Sequence, residues 1–316
     1  MSDKSFLNWI IKPHVSADQA EAEALDSTRN WIEVAKEVRT KEWAEMLDSM
    51  EPNYLWENGA PNFDPSYGQR QPALYVYPEQ NKDPQPRGAI IISAGGGYMF
   101  KSVWEAEPMA RRFYEAGFQT FIIDYRVQPY TIEDSKNDML RAVKYVRYYA
   151  EKFNIKPDKI AALGGSAGGM QSSFAATSFD YGIADSDDPI ERVSSRADAI
   201  IYNYAAFSRV GLVAGAGTFS FEAQQERAKY SADVNLRHDS PPFFVWQTVG
   251  DDPRNACNFC ARLTEYGIPF ELHIFPEGPH GCGLADGGHR FAPYCRSTVR
   301  WSQMAIEFLE NLEFLK

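Results

Sequence analysis

The segment Gly164-Gly165-Ser166-Ala167-Gly168 limits what this chain can fold into more than any other stretch. It follows the apolar run Lys159-Ile160-Ala161-Ala162-Leu163, which reads as a buried strand. It precedes Gly169-Met170-Gln171-Ser172-Ser173-Phe174-Ala175-Ala176, which reads as a helix. A serine on a sharp strand-to-helix turn projects where a substrate can reach it, and its neighbours must be small because the backbone there is strained and crowded. Amides at the helix N-terminus behind it face any negative charge that develops. Taken alone the segment also reads as a plain Gly-rich turn, so its meaning rests on the rest of the chain.

From Pro72 onward, strand-like and helix-like segments alternate. Ala73–Tyr77, Ala89–Ser93, Thr120–Asp124, the strand before Ser166, Ala199–Tyr202, Phe243–Trp246 and Phe270–Phe275 are expected strands. Several are continuously apolar, as strands buried on both faces tend to be. Helices are expected at 103–116, stopped by Gly117, at 134–153, with Met139, Val143, Val146, Ala150 and Phe153 on one face, and at 297–315. This order calls for a mostly parallel sheet with helices on both faces. Residues 207–240 read as a long polar, Gly-containing insertion. Residues 17–50 carry Ala20, Ala24, Trp31, Val34, Val38 and Trp43 at roughly helical spacing, and 51–72 read as a loop. The expected organisation is therefore a helical N-terminal extension, 1–70, before a catalytic domain, 71–316. The extension is expected to pack against the domain as a cap, or against a second copy in a homodimer.

A chain of 316 residues can bury one large core. Its formal net charge of −11 argues against nucleic acid or an anionic membrane as a partner. No window has the apolar length of a membrane span, and the N-terminus lacks a basic region followed by an apolar core, so a cytoplasmic location is expected. The cysteines are Cys257, Cys260, Cys282 and Cys295. Cys257 and Cys260 lie within an expected helix and have no second pair for a four-thiolate metal site, so they read as ordinary thiols.

Serine needs a base to become a nucleophile. Among His14, His238, His273, His280 and His289, the loop Pro276-Glu277-Gly278-Pro279-His280-Gly281 directly follows the last strand. Sites in open parallel sheets form at the carboxyl ends of strands, which favours His280. The base needs a carboxylate to fix its tautomer. Asp251 and Asp252 follow strand 243–246; Asp252 is preferred because Asp-Pro opens the next helix, with Asp251 as the alternative and helix capping as the role of the other. Ser93-Ala94-Gly95-Gly96-Gly97-Tyr98 follows strand 89–92, and its amides can approach a substrate oxygen. The expected oxyanion donors are Ala167 with Gly95 or Gly96. No Lys-Ser/Thr follows this triple glycine, which argues against a phosphate loop. Tyr98, Phe100, Trp104 and Trp246 are candidates to line the entrance or to pack the core.

These pieces together resemble the carbohydrate-esterase branch of the α/β-hydrolases, which contains acetyl-xylan esterases and feruloyl-esterase-like proteins. The resemblance runs from about Pro72 to Leu315. It rests on Ala94–Tyr98, Glu105-Ala106-Glu107-Pro108-Met109-Ala110, Asp124-Tyr125-Arg126-Val127, Gly164–Gly169, Pro241–Thr248 and Pro279-His280-Gly281. The chain departs from the branch at Ala94, where Pro or His is usual, and at Arg254-Asn255-Ala256, where Val-Pro is usual. The resemblance implies an α/β-hydrolase fold and a serine carboxylester hydrolase without metal or cofactor. It implies removal of short acyl groups, acetyl above all, from plant-type oligosaccharides. A feruloyl or general short-chain esterase and a lipase are the alternatives, followed by a peptidase or a non-catalytic binding protein of the same fold.

Overall fold

Eight strands form one sheet in a computed structural model that describes residues 31–78, 84–205 and 229–315. In chain order the strands are β1 (Pro52–Tyr54), β2 (Ala73–Tyr77), β3 (Arg87–Ser93), β4 (Gln119–Asp124), β5 (Ile155–Gly165), β6 (Ala199–Asn203), β7 (Phe243–Thr248) and β8 (Phe270–Phe275). Their spatial order is β1-β2-β4-β3-β5-β6-β7-β8. β1 and β2 pair antiparallel at one edge, and β2 pairs antiparallel with β4. Every pairing from β4 through β3 to β8 is parallel. Among the described residues the helices longer than one turn are α1 (Trp31–Leu47), α2 (Glu107–Glu115), α3 (Ile132–Tyr148), α4 (Ala167–Thr177), α5 (Arg254–Tyr266) and α6 (Trp301–Asn311).

The two faces of the sheet are filled by alternate residues of the same strands, as the two-residue side-chain period requires. Ala89, Ile91, Phe121, Ile160, Ala162, Ile200 and Val245 join one core with Met139 and Val143 of α3, Phe174 of α4 and Phe259 of α5. Ile90, Ile92, Ile122, Ala161, Leu163, Ile201 and Trp246 join the other with Phe113 of α2 and Trp301 of α6. Two buried faces explain why these strands read as unbroken apolar runs. α3 starts later in expectation than in the structure because Thr131 and Asp134 form a capping box: the Asp134 amide donates to Thr131 Oγ1, and the Thr131 amide donates to Asp134 Oδ2.

The parallel pairings bring the carboxyl ends of β3, β5, β6, β7 and β8 to one edge of the sheet. The loops that leave this edge carry Gly95, Ser166, Tyr204, Asp251 and His280. Topology thus gathers five distant segments before any side-chain contact is considered.

The boundary expected at residue 70 falls inside this sheet. Residues 52–54, read from sequence as loop, form β1 against β2. Trp43 and Leu47 of α1 are buried in the core shared with α2 and α6. The Trp43 indole N–H donates to Asp124 Oδ1 at 2.8 Å, at the end of β4. The Lys101 ammonium donates to the same oxygen and to the Tyr125 carbonyl. Residues 17–30, His14, the side chains of Trp31 and Val34, and most of the 207–240 insertion lie outside the described residues. Among the described residues no helix is long and apolar enough to cross a membrane.

Leu47 is 0% exposed, so Leu47→Ala removes packed methyl groups from the core and is expected to cost about 2–5 kcal/mol of unfolding free energy, read by urea denaturation. An unchanged midpoint and slope would mean that α1 packs without supporting the domain.

Candidate active site

Between Ile160 and Thr177, Ser166 is the one residue that is not fully buried. It stands at the break between β5 and α4 with φ 55° and ψ −122°, a left-handed conformation that side chains rarely adopt. The turn is possible because of its glycines. A methyl group on Gly164 would lie 2.0 Å from the Gly168 carbonyl oxygen, and one on Gly168 would lie 2.0 Å from the Ser93 carbonyl oxygen. The turn is tied down by the Ser166 amide, which donates to the Asn203 carbonyl on β6 at 3.1 Å.

His280 lies across from the serine, with Nε2 at 2.8 Å from Ser166 Oγ. Its Nδ1 is 2.6 Å from Asp251 Oδ2. Asp252 is the acid expected from the sequence; the structure pairs His280 with Asp251 instead. A short 3₁₀ turn, Val249–Asp251, leaves β7 and aims Asp251 at the imidazole. The backbone then turns left-handed at Asp252, φ 49°, which swings the next side chain away. The Asp252 carboxylate is held instead by the Arg254 guanidinium at 2.6 and 2.7 Å, and it accepts the Arg254 amide at the start of α5. The two neighbours divide the roles foreseen for them, in reverse. Gln247, which carries no motif signal in the sequence, donates to Asp251 Oδ2 at 3.0 Å and also to its backbone carbonyl.

Burial alone would lower the His280 pKa. The charge of Asp251, its hydrogen bond and the charge of Glu105 more than offset this and raise the imidazole above its ordinary 6.5. At Asp252 the Arg254 hydrogen bond lowers the carboxyl pKa.

The expected oxyanion donors separate as well. The Gly95 amide donates to the buried Glu105 carboxylate, Oε2, at 3.0 Å, so it is already engaged. Among the described residues the amides of Gly96 and Ala167 have no acceptor. Gly96 holds φ 137°, and a methyl group there would lie 2.1 Å from the Phe100 carbonyl oxygen, so the loop can close only with glycine.

The four aromatic residues considered for the entrance are all buried. Trp246 is 0% exposed: its indole N–H donates to Asn203 Oδ1 at 2.6 Å and its ring stacks on Trp301 in the core. Both faces of β7 are buried, and its phase places Trp246 in the core with α2 and α6. Trp104 donates its indole N–H to the Gly281 carbonyl at 2.8 Å, beside His280. The Arg39 guanidinium of α1 covers its ring at 4.5 Å, and His289 stacks with it at 5.2 Å. Tyr98 is wedged against Tyr125 and donates to Gln171 Oε1 at 3.2 Å. Phe100 is 5% exposed beneath the glycine loop. These rings build the loops rather than a platform for substrate. Of the other described histidines, His289 stacks on Trp104, His273 is on β8 beside Glu271, and exposed His238 faces the Tyr266 carbonyl.

The BD-FAE family matches residues 74–216. A solved acetyl ester-xyloside bifunctional hydrolase from Caldicellulosiruptor lactoaceticus is 32% identical, with a TM-score of 0.72, over 84% of this chain and 97% of that one. The curated relatives include endo-1,4-beta-xylanase B of Butyrivibrio fibrisolvens, 29% identical over 73% of this chain and 38% of its own length. They also include an acetylxylan esterase of Xylanibacter ruminicola, 24% identical over 63% of this chain and 42% of its own length. The chain belongs to the esterases of the α/β-hydrolase fold. It spans less than half the length of these two curated relatives.

The imidazole environment can be read directly. Asp251→Asn is expected to lower the His280 pKa, because both influences of Asp251 act upward, whereas Asp252→Asn is expected to leave it in place. NMR titration of the His280 ring in both variants distinguishes them, and the opposite ranking would return the partnership to Asp252.

Proposed function

We propose that this chain hydrolyses short-chain carboxylic esters, removing acetyl groups from plant-type oligosaccharides, through an acyl-enzyme on Ser166. One observation carries the reading: a serine hydroxyl, an imidazole and a carboxylate stand in hydrogen-bonded series, at 2.8 and 2.6 Å, on the loops after β5, β8 and β7. The acetyl and oligosaccharide parts draw support from the acetylxylan esterase and the acetyl ester-xyloside hydrolase among the similar proteins.

In this mechanism Ser166 Oγ attacks the ester carbonyl carbon while His280 Nε2 takes its proton. Asp251 keeps Nδ1 protonated and steadies the imidazolium. The carbonyl oxygen becomes an oxyanion, which accepts from the Gly96 and Ala167 amides, the latter at the N-terminus of α4. His280 returns the proton to the leaving alkoxide as the C–O bond breaks. Water then attacks the acyl-serine carbonyl, again losing a proton to Nε2. The tetrahedral intermediate collapses to release the carboxylic acid and restore Ser166.

Ser166→Ala and His280→Ala are each expected to lower kcat on p-nitrophenyl acetate by about four to six powers of ten while the protein stays folded, and the double variant is expected to be no worse. Activity of His280→Ala within about tenfold of wild type would remove the histidine from the mechanism.

Acyl-chain preference tests the substrate. Acetyl esters and acetylated xylo-oligosaccharides are expected to be cleaved with higher kcat/KM than octanoyl esters. Preference for octanoyl chains would make the protein a lipase, and preference for feruloyl esters would assign it an aromatic acyl pocket.

A further inference from the structure

The mechanism above does not use a buried acid that lies against the serine turn. Glu105, in the 3₁₀ turn before α2, is 2% exposed and sits directly under the serine turn. Its Oε2 accepts the Gly95 amide at 3.0 Å, and its Oε1 accepts the Tyr204 hydroxyl at 2.7 Å. The Tyr204 oxygen in turn accepts the Gly283 amide at 3.3 Å, three residues beyond His280. The carboxylate also fills space that side chains would otherwise occupy. A methyl group on Gly95 would lie 2.6 Å from Oε2, and one on Gly165 would lie 2.7 Å from Oε1. One carboxylate therefore touches the glycine loop after β3, the serine turn after β5 and the end of β6. Through Tyr204 it reaches the His280 loop after β8.

The chemistry asks for a carboxylate. Both oxygens must accept, from donors that arrive from different segments, and only an ionised acid offers two acceptors of that kind. An amide of the same shape would turn a donor toward either the Gly95 N–H or the Tyr204 O–H. Consuming the Gly95 amide has a consequence. The loop has successive amides that could reach a substrate oxygen, and tying the first inward leaves the next two, Gly96 and Gly97, without an acceptor, Gly96 being the nearer to the engaged Gly95.

We propose that Glu105 is a positioning residue for the esterase reaction: it turns the Gly95 amide inward so that Gly96 serves the oxyanion, and it fixes the His280 loop to the serine turn through Tyr204. The proposal rests on the esterase reading above.

Glu105 also faces titratable groups from each surrounding element. These are Tyr125 after β4, Tyr204 after β6, and His280 and Cys282 after β8, with Asp251 beyond the imidazole. Burial pushes Tyr125, Tyr204 and Cys282 up, so they stay neutral at physiological pH. Burial also pushes Glu105 up to about 7, against the Tyr204 hydrogen bond and the charge of His280. When ionised, Glu105 favours the imidazolium, so removing its charge must lower the His280 pKa.

The test uses Glu105→Gln and Tyr204→Phe in the full chain. Values of kcat and KM on p-nitrophenyl acetate are taken over roughly pH 5 to 9, and His280 is titrated by NMR in a Ser166→Ala background. Glu105→Gln is expected to lower kcat about a hundredfold with KM within about threefold of wild type, and to shift the His280 titration and the acid limb of kcat/KM to lower pH. Tyr204→Phe is expected to lower kcat about tenfold with KM again little changed. A loss confined to KM, or an unmoved His280 titration in folded Glu105→Gln, overturns the proposal. So does a kcat within about threefold of wild type in either folded variant. If Glu105→Gln does not fold, Tyr204→Phe decides alone by the same kcat criterion. A wild-type protein inactive on every ester removes the esterase reading and this role together. Active wild type with unaffected variants removes only the role of Glu105.

Discussion

The approach of the β3 and β5 loops is the contact on which the rest of the site depends. The Ser93 carbonyl at the end of β3 lies where a side chain on Gly168 would stand, and the Gly168 carbonyl lies where one on Gly164 would stand. Only with both positions bare can α4 start so close to the sheet that Ser166 is lifted into a left-handed turn. A left-handed non-glycine residue costs about 1–3 kcal/mol and persists only where its surroundings over-determine it. Here they do, through the parallel pairing of β5 with both neighbours and the hydrogen bond from the Ser166 amide to Asn203. The hydroxyl is then presented at the one partly exposed point of an otherwise buried strand-turn-helix unit.

A second layer of order comes from polar groups buried just below that turn. Gln247 steadies Asp251, Asp251 engages His280, and Trp104 holds the Gly281 carbonyl next to it. Each is a buried or half-buried hydrogen bond whose loss would leave a polar atom unpaired, which is more costly than the bond itself is stabilising. Among the described residues the amides of Gly96 and Ala167 lack acceptors, which suits them to receive a substrate oxygen.

The described part of the N-terminal segment, α1 and β1, belongs to this construction rather than standing before it. Trp43 shares the Asp124 carboxylate with Lys101, and Lys101 belongs to the loop that carries the triple glycine. Arg39 covers Trp104, which in turn holds the His280 loop. A buried ion pair such as Lys101–Asp124 adds little net stability by itself. Its contribution is direction: it fixes where α1 crosses the end of β4, and with it the wall beside the site.

Local pattern made much of this readable from the chain alone. Unbroken apolar runs of β-branched residues specified parallel strands, because each must bury both faces. Glycines at 164, 168 and 96 marked places where backbone meets backbone. The loop position of His280 followed from the strand just before it. What the chain could not reveal was which of several equivalent groups points inward. Asp251 and Asp252 are the same residue type, one position apart; a 3₁₀ turn followed by a left-handed residue, both set by packing after β7, chooses between them. Gly95 and Gly96 differ only because Glu105, ten residues on, reaches back to one of them. Trp246 is core rather than entrance because helices cover both faces of β7, and residues 52–54 become a strand only because β2 offers an edge. Periodicity and glycine placement are properties of neighbours in the chain, so the sequence determined them. Side-chain direction at the end of a strand depends on what packs against it from elsewhere, so only the tertiary structure decided it.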